Sequence, residues 1–252
     1  MSKIFLVNVG ANTSDSSRAR SPVFENGRFV YVPFSYPCKA NNGEKDYPPA
    51  ARPFVRNMHG RTTHCDPDWD NYTYGDYCLN RRARALTRAK LSDILVFWGL
   101  LWQNTGKTWD AFTGERGWYL FGVFRIEEIL TERQKPSDCR IRGNAKRAMR
   151  NVHFDRGILD SGNRVFVGSR RDSVRFEKAV PFYTEHSRLL FESVRAADGR
   201  PLRVNTRPRW ISSTRPCRAA WDLNRPTHRV RVKILSEAIR DYAEFDLLRG
   251  IH

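Results

Sequence analysis

The segment Leu91-Ser92-Asp93-Ile94-Leu95-Val96-Phe97-Trp98 places a turn before a fully apolar strand, and Trp118-Tyr119-Leu120-Phe121-Gly122-Val123-Phe124-Arg125-Ile126-Glu127-Glu128-Ile129 is its long, β-rich mate. Gly122, inside that second run, marks a bulge or a close approach of another group. Outward from this pair, Ile4 to Val9 is a short apolar strand candidate. Phe29 to Phe34 is another, behind the turn signal Glu25-Asn26-Gly27, and Val165 to Ser169 a third. Val230 and Val232 carry strand character, whereas Ile234, Leu235, Ala238, Ile239 and Tyr242 keep the spacing of an amphipathic helix. A short helix is expected around Ala145 to Asn151. Residues 35 to 80, rich in Pro, Asn, Asp, Gly and Tyr without helical periodicity, read as a long ordered loop of the kind that carries function. Several strands and few helices predict an α+β fold, a curved mixed sheet or small β-barrel with peripheral helices. Residues 1–190 are expected to form the main domain. Residues 191–252 read as an Arg- and Trp-rich extension, ending in the helix, that packs on the same domain.

The charge narrows the partner. Lys and Arg total 44 against 27 Asp and Glu, a net +17, and 35 of the 44 cations are Arg. Guanidinium forks match phosphates and base edges, so nucleic acid, DNA first, is the expected partner. With 40% hydrophobic residues the chain is neither disordered nor short of core. Its longest apolar run, Ile94 to Trp102, is about half of what a membrane helix needs. The first residues hold too short an apolar run for a signal peptide, and the five cysteines are odd in number and irregularly spaced, so a reducing cytoplasm is expected. Gly106-Lys107-Thr108 imitates part of a phosphate-binding loop, but Leu101 stands where the first glycine is required. No GxGxxG, GxSxG or HExxH pattern occurs.

Chemistry is concentrated between His64 and Tyr77, where Asp66, Asp68, Asp70 and Asp76 gather beside one imidazole in a chain otherwise dominated by cations. Acids in aromatic surroundings can act as acid or base, and carboxylates with Tyr or Trp can also read a base. His64, Cys65, Asp66, Asp68 and Asp76 are therefore the catalytic candidates, with Cys65 as a possible nucleophile, and Tyr72, Tyr74 and Trp98 the base-holding ones. The opposing reading is an Asp-rich turn that satisfies its own backbone. His59, His64, Cys65 and Cys78, with Cys38, are zinc-ligand types, but no CxxC pair exists and adjacent His64 and Cys65 point differently along a strand; no cofactor is expected. Three basic segments offer phosphate contacts: Arg81, Arg82 and Arg84; Arg142 and Arg147 around Gly143-Asn144; and Arg207, Arg209, Arg215 and Arg218 with Trp210 and Trp221 nearby.

Asn8-Val9-Gly10-Ala11-Asn12, Arg20-Ser21-Pro22-Val23-Phe24-Glu25-Asn26-Gly27 and Val32-Pro33 resemble the opening of the nucleotide modification associated domain 3 family. The likeness continues through His64-Cys65-Asp66-Pro67-Asp68, Tyr72-Thr73-Tyr74-Gly75-Asp76-Tyr77, the strand pair, Arg142-Gly143-Asn144-Ala145 and Val167-Gly168-Ser169-Arg170-Arg171 to Ala179-Val180-Pro181. It implies the making or handling of modified DNA bases, in phage or defence settings, with other proteins of such a pathway as partners. Within these blocks Asn8, Asn12 and Ser169 become base contacts, and Arg20, Asn144, Arg170 and Arg171 backbone contacts. Among reactions of this kind, hydration of the nitrile of 7-cyano-7-deazaguanine in DNA to the amide is the sharpest expectation. The alternative is a non-catalytic reader of modified bases in DNA or RNA that recruits a partner enzyme. The strand pair also looks like that of PUA-like barrels, including the ASCH and EVE groups, with Ser92 where their turn often has Gly and Gly99 to Gly117 as a long insertion.

Overall fold

A computed structural model describes residues 2–10, 18–37, 46–56, 61–80, 83–131, 142–155, 158–159, 161–181 and 220–249. The strands are β1 (Lys3–Asn8), β2 (Pro22–Val23), β3 (Phe34–Pro37), β4 (Arg61–His64), β5 (Thr73–Tyr77), β6 (Ile94–Asn104), β7 (Phe112–Thr131), β8 (Phe154–Asp155), β9 (Ile158–Leu159), β10 (Asn163–Gly168), β11 (Val174–Pro181) and β12 (Ala220–Asp222). The helices are α1 (Arg142–Ala148) and α2 (Pro226–Ala243).

The spine is the antiparallel β6–β7 pair, joined from Ile94 opposite Arg125 to Asn104 opposite Phe112 with two shifts of register between. β1 runs parallel along β6, with Ile4 beside Ile94, and β12 lies antiparallel outside β1. β7 also pairs with β10, which pairs with β5, giving the order β12-β1-β6-β7-β10-β5, while β11 joins β7 and β2 joins β6. The result is a curved, open mixed sheet rather than a closed barrel, because β12 and β5 end it without meeting among the described strands.

Alternate residues on the strands feed two separate cores. Ile4, Leu6, Ile94, Val96 and Trp98 face the side covered by Val232, Leu235 and Ile239 of α2. Phe5, Val7, Leu95, Phe97, Phe121, Phe124 and Phe166 face the other. A strand covered on both faces has no polar positions, which accounts for the unbroken apolar run 94–98. Each such side chain contributes about 1.5–3 kcal/mol on burial, so this strand is the main anchor of the fold.

The close approach expected at Gly122 is present. The register slips between Phe97, opposite Gly122, and Trp98, opposite Leu120, leaving Phe121 as an extra residue. A Cβ at Gly122 would fall 2.3 Å from the Val174 carbonyl oxygen and 2.8 Å from the Trp69 indole. Trp69, from the acidic segment, therefore docks directly on the sheet here. At the preceding turn Ser92 takes the left-handed conformation, φ 69°, that glycine would favour. The buried Asp93 carboxylate receives the Lys3 and Lys90 N–H groups at 2.6 and 2.8 Å, tying this turn to β1.

Several expectations need correction. The segment Gly99 to Gly117, expected as an insertion in a PUA-like strand pair, extends the hairpin itself: cross-strand pairs carry both arms on to Asn104 and Phe112. Phe29 makes only single bridges, and the strand begins at Phe34, where β3 finds β4 as a partner. Among the described residues, 35–80 hold three short strands, whose partners lie well away in sequence and give no local periodicity. Val230 and Val232 belong to α2, where Val232 is buried and Val230 exposed, as helical geometry demands of residues two apart. Among the described residues no helix is long and apolar enough to cross a membrane.

Candidate active site

β4 ends at His64, held by pairing with Phe34 of β3, and the chain then turns back toward β5. Asp68 closes that turn. Its backbone exchanges hydrogen bonds with Thr73, its Oδ1 accepts the N–H groups of Asp70 and Asn71, and its Oδ2 accepts the Asn71 side-chain amide at 2.8 Å. Below the turn the Trp69 ring packs edge-on against Phe97 and Phe124, with centroids 5.3 and 5.2 Å away. The loop is thus braced above by a carboxylate and below by an indole.

This bracing sets Asp66 against β5. The Gly75 N–H donates to both its oxygens, at 3.0 and 2.9 Å, and Asn151 Nδ2 donates to Oδ1 at 3.2 Å. Asp66 is 5% exposed, and a carboxylate so buried requires such donors. Its Oδ2 lies 3.3 Å from His153 Nε2 and 4.0 Å from His64 Nε2, and the two imidazole nitrogens are 3.2 Å apart. The rings meet at 87°. His153 Nδ1 faces Asn163 Oδ1 at 3.2 Å, so the ring N–H on that side donates to the amide oxygen and leaves Nε2 to face Asp66 and His64. Gly75 makes the placement possible, since a Cβ there would fall 2.1 Å from His153 Cδ2.

The electrostatics favour a cation at this point. Burial pulls the His153 imidazolium down, but the hydrogen bond to Asp66, the charges of Asp66 and Asp76 and the bond to Asn163 outweigh it and hold His153 above its ordinary range. Tyr31 donates its hydroxyl to the Asp66 carbonyl oxygen at 2.7 Å. Burial, with Cys65 and Asp66 adding to it, pushes this phenol well up, so it remains a neutral donor. The buried Tyr74 donates to Asp76 Oδ2 at 2.5 Å. His64 is the half-exposed member of the group, and Cys65 beside it is a half-buried thiol. Imidazoles and a carboxylate so disposed can pass a proton, orient water or hold a metal ion.

Of the residues expected from sequence, His64 and Asp66 come together, with Asp76 close by, while Asp68 serves its own turn. Tyr72 is half-buried beside Arg170, whose guanidinium carbon is 6.0 Å from its ring. Tyr74 lies 3% exposed between Phe97 and Phe166. Trp98 stands apart from this cluster: it faces the opposite side of the sheet, 1% exposed, against Trp118. Asn8 donates to the Trp98 carbonyl oxygen on the neighbouring strand β6, and Ser169 to Asp172 within its own turn. Arg147 and Asn144 are buried; Arg147 ties α1 to the Gly168 carbonyl and Glu127 and donates to Asn144 within the helix. Arg20 lies over the Trp102 and Trp109 rings at 4.5 and 4.8 Å. Arg84, Arg170 and Arg171 are exposed. Cys78 is buried in the apolar cluster with Phe97, and the ligand-type groups that converge among the described residues are His64, Asp66 and His153, with neither thiol. Arg142 begins α1. Asn12, Arg81, Arg82, Arg207, Arg209, Arg215, Arg218, Cys38 and His59 lie outside the described residues.

His153, Asn151, Asn163 and Tyr31 were not legible from sequence as site residues. The faint signal is Asn151-Val152-His153, an amide and an imidazole two apart in a basic, loop-like stretch. The profile of the nucleotide modification associated domain 3 family matches residues 3–224, and so covers β1 to β12 and every residue of this cluster. The chain belongs to the nucleotide modification associated domain 3 family. No curated protein and no solved structure matches it. Membership of the nucleotide modification associated domain 3 family gives the protein a role connected with nucleotide modification. Helix α2, which starts at Pro226, stands just beyond the matched region.

Proposed function

We propose that this protein is an enzyme that modifies a base in DNA and that His64, Asp66 and His153 are its reaction centre. The observation that carries this reading is the convergence of two imidazole nitrogens and a buried carboxylate oxygen, reached from the half-exposed His64, within a domain associated with nucleotide modification. The reaction we assign is hydration of the nitrile of 7-cyano-7-deazaguanine to the amide. Water adds across the C≡N bond: its oxygen joins the carbon, one proton leaves to a base, the nitrile nitrogen takes up a proton, and the adduct tautomerises to the amide. In this reading His64 accepts the proton from water, with Asp66 and His153 fixing its environment and Asp76 adding negative charge behind them. Cys65 offers a variant route in which the thiolate adds first and water displaces it. A base out of its stack would lie against Tyr72, with Arg170, Arg171 and Arg84 on flanking phosphates.

The test is nucleoside mass spectrometry on duplex and single-stranded DNA carrying the nitrile, incubated with purified protein and divalent metals. The expected product is heavier by one water and is lost in His64→Ala. DNA left unchanged overturns the assigned reaction. Tight, base-dependent binding with no turnover would support the reader reading in its place.

A further inference from the structure

We infer that His64 Nε2, Asp66 Oδ2 and His153 Nε2 form a binding site for one divalent transition-metal ion. The sides of their triangle are 3.2, 3.3 and 4.0 Å, which leaves a point about 2.1 Å from all three atoms, the distance at which zinc sits from imidazole nitrogen and carboxylate oxygen. That point lies inside the triangle, so all three side chains reach one ion without rearranging, and the half-exposed His64 marks the side from which water or substrate would approach. Two imidazoles and one carboxylate are an N/O donor set for zinc or ferrous iron, and three protein ligands with open positions describe a working site rather than a purely structural one.

The surroundings support the ligands in the manner of a metal site. His153 turns its other ring nitrogen to Asn163 Oδ1, which fixes the tautomer with Nε2 available. Asp66 Oδ1 accepts Asn151 Nδ2, and the Gly75 N–H is shared by both oxygens, which fixes the carboxylate with Oδ2 on the side of the histidines. Asn151 is itself fixed, receiving the His153 N–H on its oxygen and donating to Thr73 Oγ1. Gly75 clears the space in which the His153 ring lies. Without an ion, two imidazole nitrogens 3.2 Å apart must share a proton; with one, both present lone pairs to it. The assignment rests on the same cluster as the proposed reaction; with an ion bound, His64 Nε2 would be a ligand rather than the base and the ion would take over the activation of water, and ion uptake is measured without any substrate, so the site and the reaction are tested separately.

Full-length protein, stripped with a chelator and checked for folding by circular dichroism, is titrated with Zn²⁺ by calorimetry and with Co²⁺ by visible absorption. One ion per chain is expected, with cobalt bands of an N/O site and no thiolate charge-transfer band. His64→Ala, at the half-exposed position, should keep its melting curve and lose uptake. Asn163→Ala should bind about 10–100-fold more weakly, as loss of a supporting carbonyl does elsewhere. Cys65→Ser should bind as the parent does. Absence of uptake by the folded parent, or uptake unchanged in His64→Ala, overturns the site. Uptake lost in Cys65→Ser but kept in His64→Ala would overturn it in favour of a thiolate site. Ion binding with no change to nitrile-bearing DNA would leave this assignment standing and remove only the reaction.

Discussion

The two faces of the central sheet use the same strands to different ends. On the face under α2, Ile4, Leu6, Val96, Trp98 and Trp221 meet Val232, Leu235 and Ile239 in a cluster of hydrophobic side chains. On the opposite face, alternate residues of the same strands support Tyr31, Trp69 and Tyr74, and above these stand Asp66, His64 and His153, tied together by hydrogen bonds. The faces separate at adjacent residues: Phe97 underlies the Trp69 anchor, and Trp98 belongs to the other core. Area burial holds one face; the other spends part of its surface on buried polar groups that need partners, the usual condition of a site under functional constraint.

The largest effect that would break this comparison is on the polar face. Asp66→Asn removes the charge opposite both histidines that fixes His64 as the base, and loss of a general base's contribution lowers a rate by about 10²–10⁴-fold. Initial rates on nitrile-bearing DNA should fall by that much while binding of the DNA is kept. An unchanged rate would show that the buried carboxylate is only a structural tie. On the apolar face, Trp98→Ala should cost about 3–5 kcal/mol of stability, read as a lower urea midpoint, with zinc uptake by the folded fraction unaltered. Loss of uptake with stability intact would mean that the faces are not separate.

Gly75→Ala sharpens the contrast at a single atom. The added methyl would meet the His153 ring, so the histidine must move, at about 1–3 kcal/mol for such overpacking. Weaker zinc binding with a modest fall in melting temperature is expected. The reverse pattern, intact binding with a large fall, would assign His153 to packing.

The legibility of these features from sequence follows their range. The β6–β7 pair was readable because each strand is locally apolar and long, and Gly122 because a glycine in such a run needs a reason. His64 and Asp66 stood out by density of acid within thirteen neighbouring positions of a basic chain. His153 did not, because its role comes from register: β10 sets Tyr77 opposite Asn163, and α1 delivers Asn151 and His153 over Gly75, contacts spanning some eighty residues. Trp98 reads from sequence as a base platform for a related reason. Aromatic residues mark cores and base platforms alike, and the single-residue bulge beside it, which helps to set the facing of the two strands, has no local signature.

The smallest effect concerns the arginines, which composition alone cannot sort into two kinds. Arg147, buried, is committed to Gly168, Glu127 and Asn144, whereas Arg170 and Arg171 are exposed at the turn that follows β10, with Arg170 near the Tyr72 ring. Each phosphate contact removed should lower the slope of log affinity against log salt by about 1. Arg170→Ala and Arg171→Ala, measured by fluorescence anisotropy on duplex and single-stranded DNA across a salt series, should each do so with the melting curve unchanged. Arg147→Ala should instead lower the melting temperature and leave the slope as it was, because a guanidinium enclosed by protein acceptors releases no counterions from DNA. A slope that fell equally in all three variants would place Arg147 at the DNA and dissolve the distinction between the arginines that build the site and those that hold its substrate.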